Sequence, residues 1–417
     1  MSGEHCGIYP IMGTMTIGAE GQVKPAAAGV LLRTFVGAGA AKVPEYDNRV
    51  MIDTARLYQQ SFGDGADTES TLRSLFDESP SLRARCHMAS KAAPSVPPHS
   101  SLSKESVLDQ CNTSLQRLDT DCVDLYYLHW PDINTDIDET LDALKQLHEE
   151  GKFKELGISN YPAWMVVDIW HRCKAKGMVQ PTVYEGMYNM LTRTLEPELV
   201  AVVRNFGMRL YIYNPLAGGL LTGRYNTIED IQNATEGRFS SEFDNAMVKG
   251  SKAGQMYQQR YSKKGLFDAI SIIKTAIDEV NGVSAEVPGV TTVQESSRVV
   301  DGVTYNVRVE ETEVQAKKQG LTMVDVALRW LLHHSYLSKG DGVILGFSKP
   351  EQLSANLAAW QGGPLPQKIV DACEMAGQIA APVAESYFRG LGAKSGSIEK
   401  FLAKKADEAS AKRQKTQ

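Results

Sequence analysis

Met51-Ile-Asp-Thr-Ala-Arg-Leu-Tyr58, Met88-Ala-Ser-Lys91 and Asp124-Leu-Tyr-Tyr-Leu-His129 are three short apolar runs that end in polar side chains. Asp53, Lys91 and His129 close the runs, and Tyr58 follows five residues after Asp53. Five more β-prone runs lie outward from these three: Ile8 to Ile17, Glu155 to Ser159, Pro181 to Glu185, Arg209 to Tyr213 and Gly342 to Phe347. The intervening segments carry helical spacing. Val107, Cys111, Leu115 and Leu118 recur at steps of four, four and three. Thr135-x-x-Asp138 resembles a capping box, Leu141, Leu144 and Leu147 follow on one face, and Gly151 ends the period. Near the end, Ser348-x-x-Glu351 opens a helix with Leu353, Leu357 and Trp360.

Strands that alternate with helices are parallel strands joined by helical crossovers. Eight such units predict an α/β fold, a closed (β/α)8 TIM barrel, over an open sheet. Two regions interrupt the alternation. Residues 214–341 separate the seventh and eighth strands, and within them 282–314 is rich in Val, Thr and Ser with a central Asp301-Gly302. Asp-Gly between β-prone runs predicts a β-hairpin insertion. The Ala- and Lys-rich tail ends KRQKTQ, so residues 1–392 are expected to form the barrel and 393–417 a charged, solvated tail.

Composition narrows the function. The 417 residues include 44 Lys and Arg against 50 Asp and Glu, a net charge of -6. Mild acidity without a basic block in the body argues against a nucleic-acid partner. No apolar run approaches the length that spans a bilayer, and the start carries no secretory pattern. Cys6, Cys86, Cys111, Cys122, Cys173 and Cys373 include no CxxC pair. They read as reduced thiols of a cytoplasmic protein. A homodimer is compatible with the sequence. No metal site is expected: His333 and His334 are adjacent and point different ways on a helix.

Side chains at the strand C-termini of such a barrel face the active site. Singly, Asp53 reads as a loop cap, Lys91 as a solvated strand end, His129 as a core histidine and Tyr58 as a packing residue. Together they suit carbonyl reduction. A carbonyl accepting hydride develops negative charge and needs a proton, which a tyrosine supplies if its hydroxyl is made more acidic. A nearby ammonium stabilises phenolate, a carboxylate holds the ammonium, and a histidine orients the carbonyl.

Several motifs extend the pattern. MIDTARLY, MASKAAP, DLYYLHWPD and KFKELGISNY resemble the aldo-keto reductase superfamily. PTVYEGMYN, YNPLAGGLLTGRY, GRFSSEF and VILGFSKPEQLSANL are similar to its aflatoxin-aldehyde reductase branch. The resemblance implies an NADPH-dependent barrel reductase of small-molecule aldehydes and ketones, with the catalytic tetrad on Asp53, Tyr58, Lys91 and His129. It places the nicotinamide carboxamide on Ser159, Asn160 and Glu185, and the ring against Tyr213. The pyrophosphate falls to the loop of Asn214, Pro215, Leu216, Gly218, Gly219, Leu220, Gly223 and Arg224, with Arg238 as a further contact. Gly346, Ser348, Gln352 and Asn356 match the adenosine end, and Ser348 is expected to cap the helix whose N-terminus receives a 2′-phosphate.

The chain departs from the family at Glu185, where Gln is usual, at Gln352 where Arg is common, and at Gly346 where Lys is common. Residues 37–48 and 61–70 are longer than usual. Two other activities compete with reduction: a regulatory, nucleotide-binding barrel with little turnover, and a Schiff-base lyase using Lys91. The intact tetrad argues against the first, and Asp53, which keeps Lys91 charged, against the second.

Overall fold

The predicted alternation closes on itself. A computed structural model describes residues 7–18, 21–38, 42–59, 67–240, 253–283, 291–300, 303–312 and 320–389. Eight barrel strands are numbered in chain order: β1 Tyr9–Gly13, β2 Arg49–Asp53, β3 Cys86–Ala92, β4 Val123–Leu128, β5 Phe153–Ser159, β6 Pro181–Met187, β7 Arg209–Tyr213 and β8 Gly342–Leu345. Each pairs parallel with the next, and β1 pairs with both β8 and β2, so no edge remains. A short strand, Lys42–Val43, runs antiparallel to the start of β2.

Period-two alternation sorts the side chains into two layers. Ile11, Met51, Ala89, Leu125, Tyr127, Val183, Tyr211 and Ile344 fill the barrel interior. Ile52, Tyr126, Leu128, Ile158 and Tyr184 face the helices instead. Tyr127 fits inside because its partner on β5 is Gly157, where a Cβ would stand 2.3 Å from the Tyr127 ring. The lower end is closed by Tyr46 stacked on His87 at 3.8 Å, with the Tyr46 and Tyr211 hydroxyls 2.8 Å apart.

The helix over Lys104–Leu118 starts at Ser103, whose hydroxyl accepts from the Ser106 N–H, and buries Val107, Cys111, Leu115 and Leu118 as the spacing predicts. Each such buried aliphatic side chain contributes roughly 1.5–3 kcal/mol. The helix over Ile137–Glu149 buries Leu141, Leu144 and Leu147, and Gly151 follows it with φ 71°. Its cap differs from expectation. Asp136 holds the Asp138 N–H, and the Thr135 hydroxyl donates to Asp132. An Asp one residue later offers a stronger acceptor than the threonine.

Between β7 and β8 the chain forms helices Ala253–Tyr261, Lys264–Val283 and Met323–His333. Strands Thr291–Val300 and Val303–Thr312 pair antiparallel with Val303 opposite Val300, as the Asp-Gly signal predicts. At the hairpin's base, Asn281 accepts from the Leu321 N–H at 2.8 Å and donates to its carbonyl at 3.0 Å. The proposed tail lies outside the described residues, as do 39–41 and 60–66 of the long loops. No described helix is long and apolar enough to cross a membrane. Cys86, Cys111, Cys122, Cys173 and Cys373 are free, and Cys6 lies outside the described residues.

Candidate active site

Alternation brings Asp53 and Lys91 inward at the C-terminal rim, two residues beyond Met51 and Ala89. Lys91 is wholly buried. Its Nζ donates to Asp53 Oδ1 and, at 3.0 Å, to the Thr54 carbonyl, and lies 3.4 Å from Glu185 Oε2. The same Nζ stands 5.3 Å from the ring centres of Tyr58 and Tyr127. Tyr58 is carried on a tight turn, its N–H donating to the Ala55 carbonyl at 3.0 Å. His129 meets the Tyr58 ring edge-on at 5.8 Å. The four side chains from three strand ends thus converge, as their positions predict.

Their charges are set by burial against pairing. Burial opposes the Lys91 ammonium, but Asp53 and Glu185 outweigh it and hold the lysine above its ordinary value. Burial leaves Asp53 above its ordinary value although Lys91 pulls it down, and its direct bond to the ammonium favours the ionised form. Burial, with repulsion from Asp53, pushes Glu185 up to about 8. Burial holds the His129 imidazole neutral. The Tyr58 hydroxyl differs from expectation. Lys91 does lower it, but burial, reinforced by Asp53 and Glu185, leaves it above its ordinary value.

A second group forms where β5 and β7 end. Asn160 adopts a left-handed backbone, φ 61°, which Asn tolerates. Its Nδ2 donates to the His129 carbonyl at 2.9 Å and to Ser159 Oγ at 2.8 Å. The Tyr213 hydroxyl donates to Asn160 Oδ1 at 2.6 Å. From after β8, the Arg389 N–H donates to the Asn160 carbonyl at 3.0 Å and its guanidinium to the Tyr213 hydroxyl at 3.2 Å.

The third group follows β7. Asn214, Ala217, Gly218, Gly219 and Gly223 all have positive φ, which curls 214–223 into a tight turn. At Gly218 a Cβ would stand 2.9 Å from the Tyr257 ring, so this position is closed to larger residues. Pro215 and Leu220 are buried; Leu216 packs on the core. Arg224 and Lys349 both reach Glu236, at 3.7 and 3.3 Å. Arg238 donates to the Tyr257 hydroxyl at 2.8 Å and lies 3.2 Å from where a Gly346 Cβ would be. Arg238 and Arg260 each stand 5.3 Å from the Tyr257 ring. Burial opposes ionisation of Tyr257, yet the two arginines bring its hydroxyl below the ordinary value, a measure of the positive potential there. Arg260 Nη1 is buried without a hydrogen-bond partner.

Two expectations are corrected. Ser348 does not cap the last barrel helix; the helix is Pro350–Trp360, and Lys349 is its N-cap without a side-chain bond. Pro350 favours the first helical position, which moves the cap to the residue before it. Ser348 instead bonds Gln352 through its N–H at 2.8 Å. Glu185, expected to face the carboxamide pair, turns across the barrel to Lys91. Asn356 is buried within Pro350–Trp360. His333 and His334 serve the backbone, meeting the Gly362 carbonyl and the Leu365 N–H at 2.9 Å each.

The pattern described as the aldo/keto reductase family matches residues 11–377. The chain belongs to the aldo/keto reductase family. It is an oxidoreductase, and its barrel is that family's. Among its relatives is the aflatoxin B1 aldehyde reductase member 2 of Rattus norvegicus, 39% identical over 381 residues, 91% of this chain and 87% of the relative. The aflatoxin B1 aldehyde reductase member 4 of Homo sapiens is 37% identical over 380 residues, 91% of this chain and 96% of the relative. The human aldo-keto reductase family 7 member A3 is 36% identical over 381 residues, with the same coverage.

Sequence reasoning missed Arg389, Tyr257 and Arg260 as parts of this aldo/keto reductase site. Arg389 lies in ESYFRG, outside every strand end and helical period read from the sequence, so nothing there pointed to it. Tyr257, Arg260 and Tyr261 recur at helical spacing in MYQQRY, an aromatic and basic face within the long crossover.

Proposed function

We propose that this aldo/keto reductase reduces aldehydes and ketones with NADPH, with Tyr58 as the proton donor. The observation that carries the reading is the buried Lys91, held by Asp53 beside the Tyr58 ring, with neutral His129 edge-on to the same ring. The residues present fit the cofactor. Tyr213 offers an aromatic face beside Asn160 and Ser159. At Gly219 a Cβ would meet nothing nearer than the Tyr225 ring at 4.0 Å, which leaves room for a pyrophosphate beside the turn, and Arg238 supplies positive charge near Gly346 for a 2′-phosphate. NADPH would supply the hydride. Tyr58 would give its proton to the nascent alkoxide, Lys91 would stabilise the phenolate left behind, and His129, whose Nδ1 lacks a partner, would orient the carbonyl oxygen. Aldehydes are the favoured class, since the similar relatives are named for aldehyde reduction. The free, mostly buried thiols suit a reducing cytosol.

Absorbance at the nicotinamide band tests this, with the full chain, a reactive aldehyde and either NADPH or NADH. Aldehyde-dependent loss of signal with preference for NADPH is the expected result. Cofactor binding without turnover would favour a regulatory barrel. Borohydride trapping of substrate on Lys91 without cofactor would favour a lyase.

A further inference from the structure

One ammonium inside the barrel faces two carboxyl groups. Lys91 Nζ bonds Asp53 directly and the Thr54 carbonyl at 3.0 Å, while Glu185 Oε2 stands 3.4 Å away. That oxygen is buried and accepts no hydrogen bond. With both carboxyls ionised, the cluster would keep one net negative charge out of water. A buried carboxyl in that position takes up a proton instead. The direct bond to the ammonium rewards ionisation of Asp53, and Glu185 has no comparable bond. The groups around Glu185 are Asp53 on β2, Lys91 on β3, Tyr127 on β4, Ser159 on β5, Tyr211 on β7 and Tyr58 on the turn after β2. Lys91 is the one cation among them.

The geometry points to Glu185 as a positioning residue that works through its proton: as the neutral acid it leaves Lys91 to Asp53 and Tyr58, and as the carboxylate it competes for Lys91 and weakens Tyr58 as a donor. The proton that Glu185 loses goes to solvent, and only the O–H bond is broken. Negative charge on Glu185 adds to that of Asp53 in opposing phenolate at Tyr58. The titration falls near neutrality, since Glu185 is pushed up to about 8, whereas burial holds the Tyr58 hydroxyl far above that range. An alkaline loss of reduction near that pH therefore belongs to Glu185 and not to Tyr58. The inference rests on the carbonyl reduction proposed above.

The test compares kcat/KM of full-length wild type and Glu185→Gln with NADPH and an aromatic aldehyde, each normalised to its own value at about pH 7. Between about pH 7 and about pH 9 the wild type is expected to lose about tenfold, and Glu185→Gln less than about twofold. Infrared spectra of wild type with carboxyl-labelled glutamate supply a readout independent of turnover. A protonated carboxyl band should fade over the same range and be missing from Glu185→Gln; that difference separates it from buried Glu69. Superimposable pH profiles, or no such band at about pH 7, would overturn the inference. A band that titrates in a wild type without any aldehyde turnover would keep the proton on Glu185 and sink the reductase reading instead.

Discussion

The Tyr213 hydroxyl donates a 2.6 Å hydrogen bond to Asn160 Oδ1, joining the ends of two strands that do not neighbour each other in the barrel. This bond fixes an aromatic face relative to a polar pair, and Arg389 clamps both partners from after β8. Tyr213→Phe keeps the face and removes the bond. A net loss of about 1 kcal/mol is expected, seen as about fivefold weaker NADPH binding by fluorescence quenching. Unchanged affinity would mean that the ring is held by packing alone.

Tyr58→Phe should lower aldehyde reduction by about 10²–10⁴-fold, the usual cost of losing a general acid. Cofactor affinity should hold, because the groups assigned to it come from β5 onward. Comparable turnover in this variant would remove Tyr58 from the chemistry.

Lys91→Met leaves the Asp53 carboxylate buried beside neutral Glu185 without a counter-charge. Breaking a buried ion pair by removing one partner costs about 3–5 kcal/mol. Chemical denaturation at neutral pH should show that loss, and lowering the pH should restore part of it, since protonation neutralises the stranded Asp53. A denaturation midpoint equal to wild type would contradict the charge cluster described here.

His87 gives a separate acid sensitivity at the other end of the barrel. Burial under Tyr46 pushes its imidazole down to about 4. The unfolded chain therefore binds a proton that the folded one refuses, and stability falls as pH drops from about 6.5 toward 4. The loss should reach up to about 3 kcal/mol, and His87→Phe, which keeps the stack, should flatten it. Parallel stability curves for the two proteins over that range would rule the histidine out.

Replacing residues 284–319 with a short Gly-Ser linker should leave a folded barrel. The pair of bonds between Asn281 and Leu321 already holds the two ends together, and loop-closure entropy changes slowly with length. Circular dichroism and size-exclusion chromatography check this; a molten or insoluble product would make the hairpin structural.

The eight strands, their parallel order and the convergence of Asp53, Tyr58, Lys91 and His129 were legible in the sequence. Hydrophobic period and strand-end position are local properties, and a barrel turns strand-end position into proximity. The hairpin was legible for the same reason, from an Asp-Gly between β-prone runs. The cap at Ser348 was misread because Ser-x-x-Glu and Lys349-Pro350 offer adjacent starts, and the geometry of proline chose the second.

Three features depended on closure. Glu185 and Lys91 lie on β6 and β3, apart in the sheet, and meet only across the barrel interior. Arg389 reaches Asn160 and Tyr213 from beyond the last described helix, and Arg260 reaches the Tyr257 ring from the long crossover. Residue types and spacing state which groups are available to a site. Which carboxyl shares the lysine, and which hydroxyl stays protonated, follow from burial and distances of a few ångströms, and these exist only once the strands have closed.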